Sequence, residues 1–206
     1  MTIEKFVEKL SMEMPESDLV ENQYLNSICC KNLGIYLSKL FEINPTILLV
    51  GEAPGYRGCA LTGVPFTAEY NMMEIDNLVL GKRKGYAITD EKKTSYQKEG
   101  SATIIWDVLE QVEFMPLMWN IYPLHPHKAG NLKTNRTPTE IEMKKGIQYI
   151  DDLLDIFKTI EKIYALGRKS ETHLRSHYTD REIMYIRHPA NGGGKMCRSG
   201  IKNICP

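Results

Sequence analysis

The sequence predicts a single α/β domain of three layers, with helices on both faces of a short, mainly parallel four-stranded sheet. Three observations carry that expectation. Short apolar runs, such as residues 47 to 50 and 183 to 186, have the length and character of strands buried on both faces. Stretches of helical apolar spacing separate them, and strands alternating with helices imply parallel pairing. The length, 206 residues, suits one such unit with a full core.

Each element has its own local reason. Residues 3 to 12 and 22 to 42 show helical spacing, the second through Leu25, Ile28, Cys29, Leu33, Tyr36, Leu37 and Leu40. The first strand is expected over 46 to 51. Residues 81 to 100 are charged and poor in apolar side chains, which reads as a solvated loop. A helix over 101 to 113 and a second strand over 116 to 122 follow. Thr137-Pro138-Thr139-Glu140 reads as a capping box with proline at the first helical position. It opens a helix through Phe157, with Ile141, Ile147, Ile150, Leu153, Leu154 and Phe157 on one face. The third strand is 162 to 166, closed by Gly167. A short helix runs to 177, and the fourth strand is 183 to 187. The chain has no internal repeat and no low-complexity tract.

Composition excludes several classes. No apolar run approaches the roughly 18 residues of a membrane span, and the N-terminus lacks a signal-peptide pattern. A cytoplasmic monomer with no membrane partner is the expectation. The five cysteines, Cys29, Cys30, Cys59, Cys197 and Cys205, form no C-x-x-C pair and no zinc spacing, so free thiols and no metal or other cofactor are expected. His125 and His127 could be read as a metal pair, but a loop after a strand places them more simply on the surface.

The chemistry-bearing residues cluster at two strand ends. The run at 47 to 50 stops in Gly51, Pro54, Gly55 and Gly58, which permit sharp turns and close approach of a ligand. Glu52 sits on the first turn and Phe66 at the end of this loop. Far downstream, the run at 183 to 186 ends in His188-Pro189 and a triple-glycine loop, Gly192 to Gly194. Ligands of open α/β sheets bind beyond the carboxyl ends of the strands. No dinucleotide G-x-G-x-x-G, P-loop or G-x-S-x-G elbow is present.

These motifs resemble those of the uracil-DNA glycosylase superfamily. Gly51-Glu52-Ala53-Pro54-Gly55 is similar to the G-E-[AG]-P-G of its iron–sulfur branch. The continuation through Gly58 and Thr62-Gly63-Val64-Pro65-Phe66 is similar to the single-strand-selective monofunctional branch. His188-Pro189 matches the opening of the H-P-S-P-type loop, and Trp119-Asn120-Ile121-Tyr122-Pro123-Leu124 resembles the strand end that supplies a base-reading asparagine. The order along the chain agrees, over about residues 45 to 195. The iron–sulfur branch needs four cluster cysteines. Here adjacent Cys29-Cys30 stand where its first C-x-x-C would be, so no cluster is expected.

The resemblance implies a sheet order of 2-1-3-4 and a monofunctional glycosylase that removes uracil from DNA without a cofactor. Glu52 and His188 would be catalytic. Gly51, Ala53, Pro54, Gly55 and Tyr56 would form the base-binding loop, with its backbone amides as donors, Phe66 would stack on the base, and Asn120 would read its N3–H and O4. No lysine next to the motifs is placed for Schiff-base chemistry. Net charge is zero, yet residues 187 to 206 carry Arg187, Lys195, Arg198 and Lys202 and no acid. Arg57, Asn191, Gly192, Gly193, Lys195 and Arg198 are therefore the expected DNA contacts. Two departures matter. Ala53 stands where the single-strand-selective branch has a water-positioning Asn, and Ala190-Asn191 replaces Ser-Pro. For Glu52, orienting water and merely holding the turn both remain open. The alternative function is a weak or inactive relative that binds uracil-containing or abasic DNA; a hydrolase or nucleotide-binding protein unrelated to DNA is a third.

Overall fold

The structure, a computed structural model, describes residues 1 to 112 and 114 to 204. Glu113, at the end of the helix expected over 101 to 113, and Cys205 lie outside the described residues. Four strands form the central sheet: β1 Ile47–Gly51, β2 Leu117–Asn120, β3 Lys162–Leu166 and β4 Ile183–Ile186. They lie in the order β2-β1-β3-β4 and all pair in parallel, the topology the sequence implied. Successive strand residues point to opposite faces. Leu48, Leu49 and Val50 are all fully buried, so helices cover both sides of β1.

The first two helices are α1, Ile3–Ser11, and α2, Ser27–Ile43, which pack on each other. Thr2 caps α1 by accepting from the Lys5 amide, and Asn26 caps α2 by accepting from that of Ile28. Asn44, at φ 54°, ends α2 in the left-handed conformation that asparagine tolerates. Two short helices follow β1, α3 Cys59–Thr62 and α4 Glu69–Glu74. Next come α5 Gly100–Val112, α6 Glu140–Ile156, α7 Arg168–His177 and α8 Gly194–Ile204, with α5 against α8.

Four expectations are corrected. Residues 81 to 100 are not simply solvated: Tyr86 and Ile88 are buried. Asn32 bonds both the amide and the carbonyl of Ala87, and Lys93 pairs with buried Glu69 at 2.7 Å. Polar side chains from the core thus hold a stretch whose own apolar content is low. The cap of α6 is Thr139, not Thr137, and Pro138 precedes it. Glu142 accepts from the Thr139 amide at 2.6 Å and receives two bonds from Arg136, which selects that register. His125 and His127 are buried rather than superficial. His125 and Pro126 form a small antiparallel ribbon with Val20 and Glu21 that periodicity did not reveal. Finally, α8 was not expected; its buried residues Cys197, Ile201 and Ile204 have helical spacing.

One helical glycine is a packing requirement. A Cβ on Gly146 of α6 would meet the Ile121 carbonyl oxygen at 2.1 Å. Gly146→Ala should therefore destabilise the protein by about 1–3 kcal/mol, despite alanine's higher helix propensity. A melting temperature equal to or above wild type would contradict this contact.

Candidate active site

Parallel register brings the carboxyl ends of the strands side by side. Gly51 pairs with Asn120, Val50 with Ala165 and Leu166 with Ile186. Past the strands, the Gly51 carbonyl accepts from the Ile121 amide at 2.9 Å and the Glu52 carbonyl from that of Tyr122 at 3.1 Å. Backbone pairing therefore fixes where Glu52 leaves the sheet. Gly167, ending β3 at φ 99°, lies against His188: a Cβ there would be 3.3 Å from the His188 Cβ. Residues 51, 52, 120, 167 and 188 thus meet at one edge.

Phe66 and Asn120 converge on Gly51. A Cβ on Gly51 would fall 2.2 Å from Phe66 Cζ and 3.0 Å from Asn120 Oδ1, so only glycine leaves room for the ring. Phe66 has φ 52°, unusual for a non-glycine residue. Its carbonyl accepts from the Trp106 indole at 3.1 Å, which helps hold that conformation. The ring is only partly buried, and Asn120 is 4% exposed. Among the described residues, no hydrogen bond engages the Asn120 side chain.

The first glycine loop is tied from the side. His125 places its two ring nitrogens 2.9 Å from the Pro54 carbonyl and 3.0 Å from that of Leu132. Asn135 Oδ1 accepts from the Tyr56 amide at 3.0 Å. That bond removes the Tyr56 N–H from the donors expected to face a base. The Tyr56 ring instead meets the Arg57 guanidinium.

His188 has a defined hydrogen-bonding state. The Ala190 amide donates to its Nδ1 at 3.1 Å, so the neutral ring carries its proton on Nε2 and is a donor there. Burial lowers its pKa below the ordinary histidine value, with Arg187 adding to the effect; Glu99 and Glu52 pull the other way. Beyond it, Asn191 and Gly192 have positive φ and are exposed, while Gly193 is buried beneath the His188 carbonyl. Gly193 is thus a packing residue of the loop rather than a surface contact. Of the expected DNA-facing cations, Arg57 and Lys195 are exposed, whereas Arg198 pairs with Asp107 at 2.9 Å.

Two adjoining cavities of about 260 and 280 Å³ share Glu52, Lys169 and His188. A larger one, about 660 Å³, beside Asn22, Gln23, Cys29 and His127, includes neither Glu52 nor His188. Because the smaller pair holds the groups able to do chemistry, the candidate site is there. Lys169 was missed by sequence reasoning, which looked near the motifs only for a lysine placed for Schiff-base chemistry: its Nζ lies 3.5 Å from Glu52 Oε1. Glu99 was missed too; it caps α5 through the Ser101 and Ala102 amides. Among the described residues, no group of three His, Cys, Asp or Glu is placed to hold a metal, and no helix is long and apolar enough to cross a membrane.

The profile of the Uracil DNA glycosylase superfamily matches residues 38–193, three quarters of the chain. The chain belongs to this superfamily. Among solved structures, the crystal structure of wild-type Pedobacter heparinus SMUG2 is similar at a TM-score of 0.66 and 14% identity, covering 98% of this chain and 96% of that one. At that identity the likeness establishes the superfamily's fold, the one the sequence motifs implied. No curated protein matches the sequence. The matched span holds all three motifs and Lys169, and ends at Gly193.

Proposed function

We propose that the protein is a monofunctional uracil-DNA glycosylase that hydrolyses the N-glycosidic bond of uracil in DNA. The observation that carries this reading is that Phe66 and Asn120 pack on Gly51 while the next residue, Glu52, lines a cavity with His188, all within the matched span. The extruded base stacks on Phe66, and the Asn120 amide accepts from N3–H and donates to O4. Cytosine presents the opposite pattern and is refused.

As the N1–C1′ bond breaks, the electron pair leaves with the base and negative charge gathers on uracil O2. The Nε2–H of neutral His188 donates to that oxygen and stabilises the departing anion without transferring its proton. The carboxylate of Glu52 faces the cationic sugar and orients the water that adds to C1′. The proton that the water loses neutralises the departed uracil anion, and the products are free uracil and an abasic site. Lys195 and Arg57 contact phosphates from the exposed rim.

Incubation with uracil-containing single- and double-stranded oligonucleotides, followed by alkaline cleavage at abasic sites, tests the reading. Intact strands on every substrate at stoichiometric protein would reject it. A second reading, a relative that binds such DNA without turnover, rests on Ala53, where no water-positioning side chain exists. Tight binding without cleavage would favour it.

Strand scission is not part of the proposed reaction. Lys169 is ion-paired, and an ammonium group has no lone pair to attack an aldehyde. Borohydride added during turnover should trap no covalent protein–DNA complex. A trapped complex that disappears in Lys169→Met would replace the monofunctional reading with a lyase.

A further inference from the structure

Glu52 has a fixed backbone and a side chain with one charged neighbour. Its carbonyl is held by the Tyr122 amide, whereas its carboxylate, partly exposed, faces Lys169 Nζ at 3.5 Å. Among the described residues, no hydrogen bond engages that carboxylate. Left alone, a glutamate has three rotatable bonds and no single direction, which is unsuited to holding a water against one carbon atom.

Lys169 is exposed, but its head group is held. It lies on the first turn of α7, directly after the Gly167 turn that closes β3, and β3 is the strand next to β1. Its Nζ donates to Thr137 Oγ1, from the segment leading into α6. That segment is itself anchored: Arg136 binds Glu142, and the neighbouring Asn135 receives the Tyr56 amide. Three distant stretches of chain, at 52, 137 and 169, therefore meet around one ammonium group, and all three residues line the 280 Å³ cavity with His188.

We propose that Lys169, braced by Thr137, is the positioning residue of Glu52, setting the direction in which the carboxylate holds the attacking water. In a chain with Ala53, this ion pair supplies the orientation that no side chain at position 53 can. Lys169 makes no contact with the reacting atoms; it acts through Glu52. The inference rests on the proposed glycosylase function.

The test compares Lys169→Met, Lys169→Arg and Thr137→Val in the full chain by single-turnover uracil release at saturating protein, with DNA affinity measured separately. Lys169→Met should lower the saturated rate roughly ten- to a hundred-fold, with affinity nearly unchanged. Lys169→Arg keeps the positive charge within reach of the carboxylate and should recover much of the loss. Thr137→Val frees the ammonium head and should give a smaller loss. In a Glu52→Gln background, Lys169→Met should cause little further loss, because the two residues act as one unit. A saturated rate that Lys169→Met leaves unmoved overturns the inference. If affinity for all DNA then falls and its salt dependence flattens, Lys169 is a phosphate anchor instead. Equal losses from Lys169→Met with and without Glu52 also overturn it. Wild-type protein that releases no uracil removes the proposed function and this inference together, whereas an active wild type with an unaffected Lys169→Met removes this inference alone.

Discussion

His188→Ala is expected to lower the rate of uracil release by roughly two orders of magnitude or more, the usual cost of deleting a donor aimed at developing negative charge. DNA affinity should change little, since the ring lines the cavity and the cations proposed to contact phosphates, Arg57 and Lys195, lie on the exposed rim. The Ala190 amide bonded to Nδ1 fixes the donor on Nε2, so geometry as well as chemistry is lost with the ring. Wild-type turnover in His188→Ala would make the histidine a structural loop residue. A pH signature accompanies the role. The folded state holds this imidazole below its ordinary 6.5, so between the folded value and 6.5 the unfolded chain binds more protons. Stability from His188 is complete above 6.5 and is lost as pH falls through that window. Thermal melts over this range should show the wild type losing more stability on acidification than His188→Gln. Equal losses would contradict the half-buried, neutral ring.

Much of this architecture is legible because apolar continuity is a direct consequence of burial on two faces. β1 and β4 read as strands for that reason, and β3 was bounded correctly by Gly167, whose positive φ no other residue adopts easily. Gly51 was legible as a place of close approach, but not what approaches it. The partners, the Phe66 ring and the Asn120 amide, come from 15 and 69 residues later in the chain, and nothing local records that they meet.

The missed residues share a different cause. Thr137-x-x-Glu140 and Thr139-x-x-Glu142 satisfy the same capping pattern, and the tie is broken only by Arg136 on Glu142. For α8, the three glycines before Lys195 argue against a helix start by propensity. Packing overrides this: Gly200 faces Ile186, where a Cβ would sit 2.9 Å from Cγ2. Lys169 and Asn135 are ordinary polar residues in polar stretches, and His125 follows the apolar run Ile121 to Leu124. Each acquires a role because a strand crossover or a returning loop delivers it to the Gly51–Gly58 turn. A lysine two residues after a strand-closing glycine is a weak signal, useful only once the strand order says which motif it faces.

Asn120→Asp should have the other large effect, and it separates recognition from chemistry. The substitution is nearly isosteric, so the packing on Gly51 and the end of β2 are retained. It removes the amide donor and leaves two acceptors, one of them facing uracil O4, which is itself an acceptor. Asn120 is itself only 4% exposed, so its mismatched oxygens cannot turn to water. An unpaired or repelled polar group in such a place costs about 1–3 kcal/mol, which lowers uracil release roughly ten- to a hundred-fold. Cytosine offers an amino donor at the position of O4, so the same change should raise cytosine release relative to uracil. The decisive measurement is the ratio of the two rates under single turnover, because a general loss of fold lowers both alike. If Asn120→Asp releases uracil at the wild-type rate, the asparagine does not read the base edge, and the pocket must orient uracil by its backbone amides instead.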